Sequence, residues 1–225
     1  MPLILNIETT TSVCSVCLSL NGQVIAHRIS REANPHGRLL TIMVEELLLE
    51  TDIAFTKLDS IAVSSGPGSY TGLRIGISVA KGFCYVLGKP LVAVPTLEAL
   101  AVGIRQIANN NTSYCMPVMD ARRLDVYTTI FDSQQATVLS TQCLTVNTAL
   151  EQRLSLYDKI LVGGNAMDKC KTILSTPNIQ YVENVECDAR WMIKIAEAKY
   201  QAQAFENVAY FEPDYLKDFA ANTSR

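Results

Sequence analysis

Histidine is scarce in this chain, which has only His27 and His36 among its 225 residues. We expect His27, in the third predicted strand, to be an edge or surface residue. His36 follows Pro35 at a helix start, where a capping or surface role is expected. The serine-nucleophile signature G-x-S-x-G is also absent. The chain therefore offers little for catalysis by a serine–histidine couple or by a metal held on paired histidines.

Cysteine provides neither a metal site nor a disulfide framework. The seven cysteines are scattered and odd in number, which is typical of reduced thiols in a cytoplasm. The single C-x-x-C pair, Cys14 and Cys17, lies in a predicted strand. Side chains three apart on a strand point to opposite faces, so these two cannot share a metal. We expect no metal site and no cofactor.

Long apolar runs and an excess of charge of one sign are missing as well. The net charge is −3 and the isoelectric point about 5.5, so the sequence shows no electrostatic footprint for nucleic acid. No stretch approaches the length of a membrane span, and we expect no signal peptide before the first predicted strand. These absences predict a cytoplasmic protein with no membrane contact.

A phosphate loop is absent from the most informative segment, residues 66–95. A short strand there enters a glycine–proline–glycine turn that leads into a helix, a unit that often binds phosphate through backbone N–H groups. The Walker spacing G-x-x-x-x-G-K-[ST] fails, because Leu73 follows Gly72. The dinucleotide spacing fails because Thr71 stands where the third glycine should be.

What is present is one order of predicted elements, repeated. Three strands, with an Asn21-Gly22 hairpin, precede a helix at 37–50, a strand at 61–65, a helix at 69–87, a strand at 91–94 and a helix from Thr96. The second half repeats three strands and then alternates helix and strand, with helices predicted at 147–156 and 188–205.

This order predicts an α/β fold of two tandem RNase H-like lobes, each of βββαβα type, in the actin/hexokinase/Hsp70-like architecture. The first lobe is expected at 1–110 and the second at 111–219. The last helix of the second lobe can pack back on the first, and 220–225 is expected to be a flexible tail. In this architecture a nucleotide usually lies in the cleft between the lobes.

Glu8 is the first candidate for that cleft, because phosphotransferases of this architecture place a metal-binding carboxylate at the end of the first strand. We favour a turn-forming, hydrogen-bonded carboxylate instead. Ser69 is explained by an N-cap role. Arg122 and its neighbour Arg123 could clamp an anion, or be neutralised by nearby aspartates. The weak cleft candidates are Glu8, Thr9, Gly66, Gly68, Ser69 and Arg122.

Two predicted helices of the first lobe carry surplus apolar or small residues. Eight of the eleven residues from 39 to 49 are apolar, whereas one core-facing stripe needs three or four in seven. Small residues recur every four positions from Gly72 to Gly88, which indicates tight packing on the chain's own sheet or close approach of a partner helix. The predicted partner interface comprises Leu39, Ile42, Met43, Glu46, Leu49, Gly72, Leu73, Gly76, Ile77 and Ala80.

Several motifs resemble the TsaB family, the bacterial accessory proteins of threonylcarbamoyladenosine synthesis in tRNA. The most specific is GPGSYTGLRIG followed by GKPLVAVPTLEALA, with D-A-R-R at 120–123 and P-D-Y-L-K at 213–217. The catalytic sister family, TsaD, carries a metal-binding H-x-x-x-H where this chain has Thr96 and Leu100. Threonine and leucine cannot replace such a histidine pair.

The resemblance implies a non-catalytic scaffold and activator, required with TsaD and TsaE for the threonylcarbamoyl modification (t6A) of adenosine 37 in tRNAs that read codons beginning with A. It further implies a heterodimer with TsaD through the first-lobe helices, TsaE in a larger complex, a homodimer when the chain is alone, and tRNA contact only through the complex. The alternative is an ATP-dependent small-molecule kinase or ATPase of the same architecture.

Overall fold

The structure, a computed structural model, describes residues 2–32 and 35–216. Lys217 and the predicted tail at 220–225 lie outside these residues. The first lobe contains β1 (Leu3–Glu8), β2 (Cys14–Leu20), β3 (Gln23–Ser30), α1 (His36–Thr51), β4 (Ser60–Gly66), α2 (Tyr70–Leu87), β5 (Leu91–Pro95) and α3 (Thr96–Ala108). The second contains β6 (Tyr114–Asp120), β7 (Asp125–Phe131), β8 (Thr137–Thr145), α4 (Thr148–Leu154), β9 (Ile160–Gly163), α5 (Met167–Lys171), β10 (Ile179–Val182) and α6 (Ile193–Gln201).

The two sheets have the same topology. Their strand orders are β3-β2-β1-β4-β5 and β8-β7-β6-β9-β10. In each sheet the first three strands pair antiparallel, and the fourth and fifth run parallel to the first. Parallel pairing requires a crossover, which a helix provides here. The predicted two-lobed α/β architecture is confirmed.

Local turn chemistry explains where several elements begin and end. Asn21 and Gly22 both have positive φ, 51° and 71°, as a tight hairpin turn between β2 and β3 requires. The Ser69 hydroxyl accepts a hydrogen bond from the Gly72 amide at 3.2 Å, so the predicted N-cap of α2 is confirmed. The same helix ends at Gly88, whose φ of 62° suits glycine.

The helices and sheets form layers. α1 and α2 cover one face of the first sheet, and α3 and α6 cover the other. α3 also packs on the second sheet, through Leu97, Leu100 and Ile104, so it is shared by the two lobes. α4 and α5 cover the outer face of the second sheet. The carboxyl ends of the central strands of both sheets therefore meet near the beginning of α3.

The helix predicted over 188–205 is divided and shorter. Asp188 caps a 3-10 turn at Ala189–Met192, and α6 follows and ends at Gln201. The Ala189 amide donates to the Ser15 hydroxyl of β2 at 2.8 Å, which holds the tight turn on the first sheet. α6 then packs against β1 and β5, although it follows the second lobe in sequence. Helical periodicity alone does not reveal such a tertiary contact.

Residues 205–216, which we call the C-terminal strap, run in an extended path along the first lobe. The Asp214 amide donates to the Ser65 carbonyl at 2.8 Å, and Lys81 Nζ donates to the Phe211 carbonyl at 3.1 Å. The Phe211 side chain packs against the core of the first lobe. The strap thus covers the end of β4 and one side of α2.

Candidate partner surface and interlobe cleft

Glu8 lies at the carboxyl end of β1, where a cleft carboxylate was predicted. It is 1% exposed, and it accepts hydrogen bonds from the Thr10 amide at 2.6 Å, the Thr10 hydroxyl and the Ser64 hydroxyl. Burial raises the pKa of Glu8, although these hydrogen bonds oppose the rise. The chain's own donors enclose the carboxylate, which argues against a cleft role for Glu8. The turn-forming alternative is confirmed.

Thr9 and Gly66 are also closed off from any ligand. Thr9 is fully buried, and its hydroxyl donates to the Gly72 carbonyl at 2.9 Å. Gly66 is buried with a φ of 121°, and the backbone of Asp214 in the C-terminal strap occupies the space where a side chain would be. The predicted cleft role is therefore corrected for both residues.

The two remaining first-lobe candidates form the turn into α2. A side chain at Gly68 would collide with Thr10, so glycine is needed for the close approach of the two turns. Ser69 is exposed, and its hydroxyl is used as the N-cap. The glycine turn is thus a packing device between β4, α2 and the β1–β2 connection.

Asp188 forms a buried ionic cluster near Glu8 that sequence reasoning missed. Its carboxylate is 3.0 Å from His27 Nε2 and accepts from Arg190 Nη2 at 2.7 Å. Burial raises the pKa of Asp188, but the adjacent His27 ring and the hydrogen bonds from Arg190 more than offset this and hold the pKa well below its usual range. His27 lies on an edge strand as predicted, but its partner is 161 residues away, so no local pattern could reveal the pair.

His36 does not cap α1, contrary to one predicted role. The N-cap residue is Pro35, which makes no side-chain cap. His36 is half-buried against the β1–β2 connection, and that burial lowers its pKa.

Thr96 and Leu100 stand where the sister family carries its metal-binding histidines. Both are buried at the beginning of α3, and the Thr96 hydroxyl has no hydrogen-bond partner among the described residues. A hydroxyl and an isobutyl group do not fit a divalent metal that prefers imidazole. In residues 2–32 and 35–216 we find no group of three histidine, cysteine or acidic side chains arranged to hold a metal.

The small-residue stripe of α2 packs inside the first lobe. A Cβ on Gly72 would overlap the Thr9 carbonyl, and one on Gly76 would overlap the Thr9 hydroxyl. The stripe therefore lets α2 approach the end of β1, as the packing alternative proposed. This corrects the predicted interface at its buried members, which cannot offer surface to a partner. They are Met43, Gly72, Leu73, Gly76, Ile77 and Ala80.

α1 presents its second apolar arc to solvent. Ile42 is 44% exposed and Leu49 is 74% exposed, whereas Leu39 is partly buried against the core. Glu46 lies between them, 3.9 Å from Arg28 on β3. Exposed aliphatic side chains at helical spacing are typical of a helix that binds another protein.

α2 contributes a row that the sequence analysis overlooked. Ile75, Val79 and Phe83 are partly exposed and recur every four residues, one position before the small stripe. α1 and α2 lie side by side, with Gly37 of α1 next to Ile75. We call Ile42, Leu49, Ile75, Val79 and Phe83, with the partly buried Leu39 and the exposed Glu46, the α1–α2 face. The large residues at four-residue spacing were the available signal.

Arg122 lies in the exposed turn between β6 and β7, beside Arg123. The predicted neutralising aspartates are engaged elsewhere. Asp120 accepts from Lys169 Nζ at 2.7 Å, and Asp125 accepts from the Thr145 hydroxyl at 2.7 Å. No ion pair or side-chain hydrogen bond joins either guanidinium to the residues that the structure describes.

A search of the described helices for a membrane span found none that is long and apolar enough.

A family model described as TsaD, tRNA N6-adenosine threonylcarbamoyltransferase, matches residues 23–224. The chain belongs to this family, and within it to the TsaB proteins. TsaB of Escherichia coli (strain K12) is 35% identical over 124 residues, which cover 55% of this chain and 52% of that protein. The chain thus spans about half the length of that relative.

A second TsaB protein matches along its whole length. It comes from Buchnera aphidicola subsp. Baizongia pistaciae (strain Bp) and is 28% identical over 223 residues, 96% of this chain and 98% of the relative. The fold is shared with a Pseudomonas aeruginosa crystal structure described as similar to the peptidase YeaZ. That structure has a TM-score of 0.84 and 23% identity, and the match covers 96% of this chain and 100% of the other.

Proposed function

We propose that this TsaB-family chain is a non-catalytic accessory subunit of t6A synthesis, working with TsaD and TsaE. The observation that carries the proposal is the pairing of a closed cleft with an exposed apolar α1–α2 face. The curated relatives are named tRNA threonylcarbamoyladenosine biosynthesis proteins. The Glu8 carboxylate at the cleft is buried by the chain's own contacts, whereas the apolar side chains of Ile42 and Leu49 on the α1–α2 face are exposed.

The cleft supports the non-catalytic part of the proposal. Glu8 is enclosed by its own hydrogen bonds, and Thr96 and Leu100 offer no metal ligands. An ATP-dependent kinase or ATPase needs an open site for the metal and phosphates, which these residues do not provide. The residues at the cleft therefore favour the accessory role over the alternative function.

The α1–α2 face supports the part of the proposal that assigns a partner protein to this chain. Ile42 is 44% exposed and Leu49 is 74% exposed, so burying the exposed part of each would contribute a corresponding share of the about 1.5–3 kcal/mol that full burial gives. Two parallel helices also offer a ready surface for two helices of another chain. We assign this face to TsaD in the working complex and to a second copy when the chain is alone. TsaE and tRNA join through the larger complex.

The test is sedimentation velocity of the chain with TsaD from the same organism. Ile42→Asp and Leu49→Asp place a charge on the face without touching the core, because both side chains are substantially exposed. Each should weaken association at least tenfold, since a carboxylate would be buried without a partner. Leu156→Asp is the matched control, because Leu156 is 83% exposed on the second lobe.

Circular dichroism and thermal melting establish that each variant is folded. Gly76→Arg is unsuitable here, because Gly76 is buried against Thr9 and the substitution would disrupt the fold. If folded Ile42→Asp and Leu49→Asp bind TsaD as tightly as the unmodified chain does, TsaD does not use the α1–α2 face.

A further inference from the structure

The turn between β6 and β7, residues 120–125, opens on the same edge of the molecule as the interlobe cleft. Met119, the residue before it, packs with Leu97 and Leu100 in the first half of α3. Gly164, at the end of the neighbouring strand, also lies against Leu100. Because α3 begins where the strands of the first sheet end, this turn lies at the mouth of the cleft. We call it the arginine turn.

Both arginines of this turn have a left-handed backbone. φ is 70° at Arg122 and 50° at Arg123, a region that side chains with a Cβ disfavour. The Asp120 carboxylate accepts from the Arg122 amide at 2.7 Å, and the Asp125 amide donates to the Arg122 carbonyl at 3.0 Å. These bonds hold the strained conformation in place.

The turn between β2 and β3 is made without large side chains. Asn21 and Gly22 form the β2–β3 turn, also with two positive φ angles. Asn-Gly and Asp-Gly are the residues that such turns favour. Two consecutive arginines are therefore energetically unfavourable in such a turn. Backbone strain that is kept in a surface turn is consistent with a functional role for its side chains.

The two aspartates of the turn accept hydrogen bonds from other residues, so both guanidinium groups can donate to a ligand. Lys169 engages Asp120, and Thr145 donates to Asp125. Burial raises the pKa of Asp120, but the hydrogen bonds from Lys169 and from the Arg122 amide, together with the nearby positive charges of Lys169 and Arg122, lower this pKa by more. Among the described residues, the carboxylate accepts its hydrogen bonds from Lys169 and the Arg122 amide and none from a guanidinium. Each exposed guanidinium has five N–H donors, and no described residue accepts from them.

We propose that the arginine turn contacts the phosphate backbone of RNA when the chain is part of its complex. This inference rests on the proposed function, which supplies tRNA as the RNA. Paired guanidinium groups match phosphate oxygens through bidentate hydrogen bonds. Arg122 and Arg123 are exposed on a turn and do not line an enclosed site, so a polymer backbone passing over them fits better than a mononucleotide in a pocket.

The size of the contribution can be estimated. Each phosphate neutralised on a duplex contributes about 0.9 to the slope of log K against log salt. Two arginines therefore contribute between about one and two units of slope, and roughly tenfold in affinity at moderate salt. The net charge of −3 means that this contribution acts within a larger binding surface rather than alone.

The experiment measures anisotropy of labelled tRNA with the complex of this chain and TsaD, over a salt series. Arg122→Ala/Arg123→Ala should weaken binding about tenfold and lower the salt slope by one to two units. Arg153→Ala/Lys159→Ala is the matched control. It removes the same charge from two exposed residues, of which Lys159 precedes β9 and so lies at the opposite end of the strands from the arginine turn, and it should leave binding unchanged.

A double substitution to glycine tests whether the two arginine side chains bind RNA or are only exposed to solvent. Arg122→Gly/Arg123→Gly relieves the left-handed strain, so the melting temperature should rise by roughly 2–4 °C per arginine. RNA binding should fall as it does for the alanine pair. We expect the glycine variant to be more stable than the unmodified chain and to bind RNA more weakly, which is the result that a strained but functional turn predicts.

The outcomes are distinct. If the unmodified chain forms no complex with TsaD, the proposed function fails and this inference falls with it. If the complex forms but the alanine pair binds tRNA with unchanged affinity and slope, the inference alone is overturned. If the alanine pair instead abolishes association with TsaD, the turn binds an acidic protein surface and the RNA assignment is overturned.

Discussion

At the scale of single residues, the space around each side chain decides what a substitution does. Gly76 and Gly82 lie six residues apart on α2. A Cβ on Gly76 would overlap the Thr9 side chain, which cannot move freely because its hydroxyl donates to the Gly72 carbonyl. A Cβ on Gly82 would meet nothing within 4 Å. The two glycines therefore have different roles on one helix.

Gly76→Ala should destabilise the chain by about 1–3 kcal/mol through overpacking. Gly82→Ala should stabilise it by about 0.5–1 kcal/mol, since alanine favours the helix and nothing obstructs it. Chemical denaturation of both variants measures the difference directly. Equal effects in the same direction would show that Gly76 is not in close contact with Thr9.

Asp188 gives a pH dependence of known sign. Its pKa is depressed in the folded chain, so its stabilising contribution is present above the unfolded pKa near 3.8 and is lost as pH falls toward the lower folded pKa. Asp188→Asn should therefore cost about 2–3 kcal/mol at pH 7, with a smaller difference at pH 3. Melting temperatures at both pH values test this, with exposed Asp158→Asn as control. A constant difference would contradict the account.

Residue roles were predictable where the partner is local. The N-cap at Ser69 and the turn at Asn21 and Gly22 follow from neighbours within three positions. Glu8 is different, because one of its donors, Ser64, is 56 residues away on a neighbouring strand. The burial of its carboxylate therefore depends on the sheet rather than on the local sequence.

At the scale of elements, periodicity located the helices but did not choose the face that each one buries. The sequence predicted α1 and α2 to within one residue at each end. It also placed the outward arc of α1 at Ile42 and Leu49, which are exposed. On α2 it selected the small residues, although these pack on Thr9 and the larger row of Ile75, Val79 and Phe83 is outside. A small-residue stripe fits either contact, so only the tertiary structure decides.

Periodicity was an even poorer guide to the segments after residue 187. Residues 188–205 have a helical pattern, yet the chain forms a 3-10 turn before α6 and ends the helix at Gln201. Contacts with β1, β2 and β5 impose this division. The C-terminal strap has no periodicity to detect, because backbone bonds such as Asp214 to Ser65 hold it in place.

At the scale of the whole molecule, the repeated order of elements was sufficient to predict two lobes of one topology. Each lobe has a core of its own beneath its outer helices. The contacts that join the two lobes come from residues far apart in the sequence. α3 packs on the second sheet through Leu97 and Leu100, and the single tryptophan, Trp191, lies against Gly103 of the same helix. These contacts join distant segments, so the way the cleft is closed could not be predicted from local patterns.

The enclosed Glu8 carboxylate and the exposed α1–α2 face together are the basis of our proposal that the chain acts by binding. The central claim is that the chain is required for t6A formation but performs none of the chemistry. In this view the two lobes preserve an architecture suited to nucleotide chemistry, while the residues at its centre have become packing contacts. Ile42 and its neighbours then carry the functional contribution.

The most direct test is t6A formation in a reconstituted mixture of purified components. Threonylcarbamoyl-adenylate, ATP, Mg²⁺ and tRNA are incubated with this chain alone, with TsaD and TsaE alone, and with all three proteins. We predict no modified nucleoside from the chain alone, robust formation only with all three, and at least a tenfold loss when Ile42→Asp replaces the unmodified chain. Modified nucleoside formed by the chain without TsaD would contradict the account.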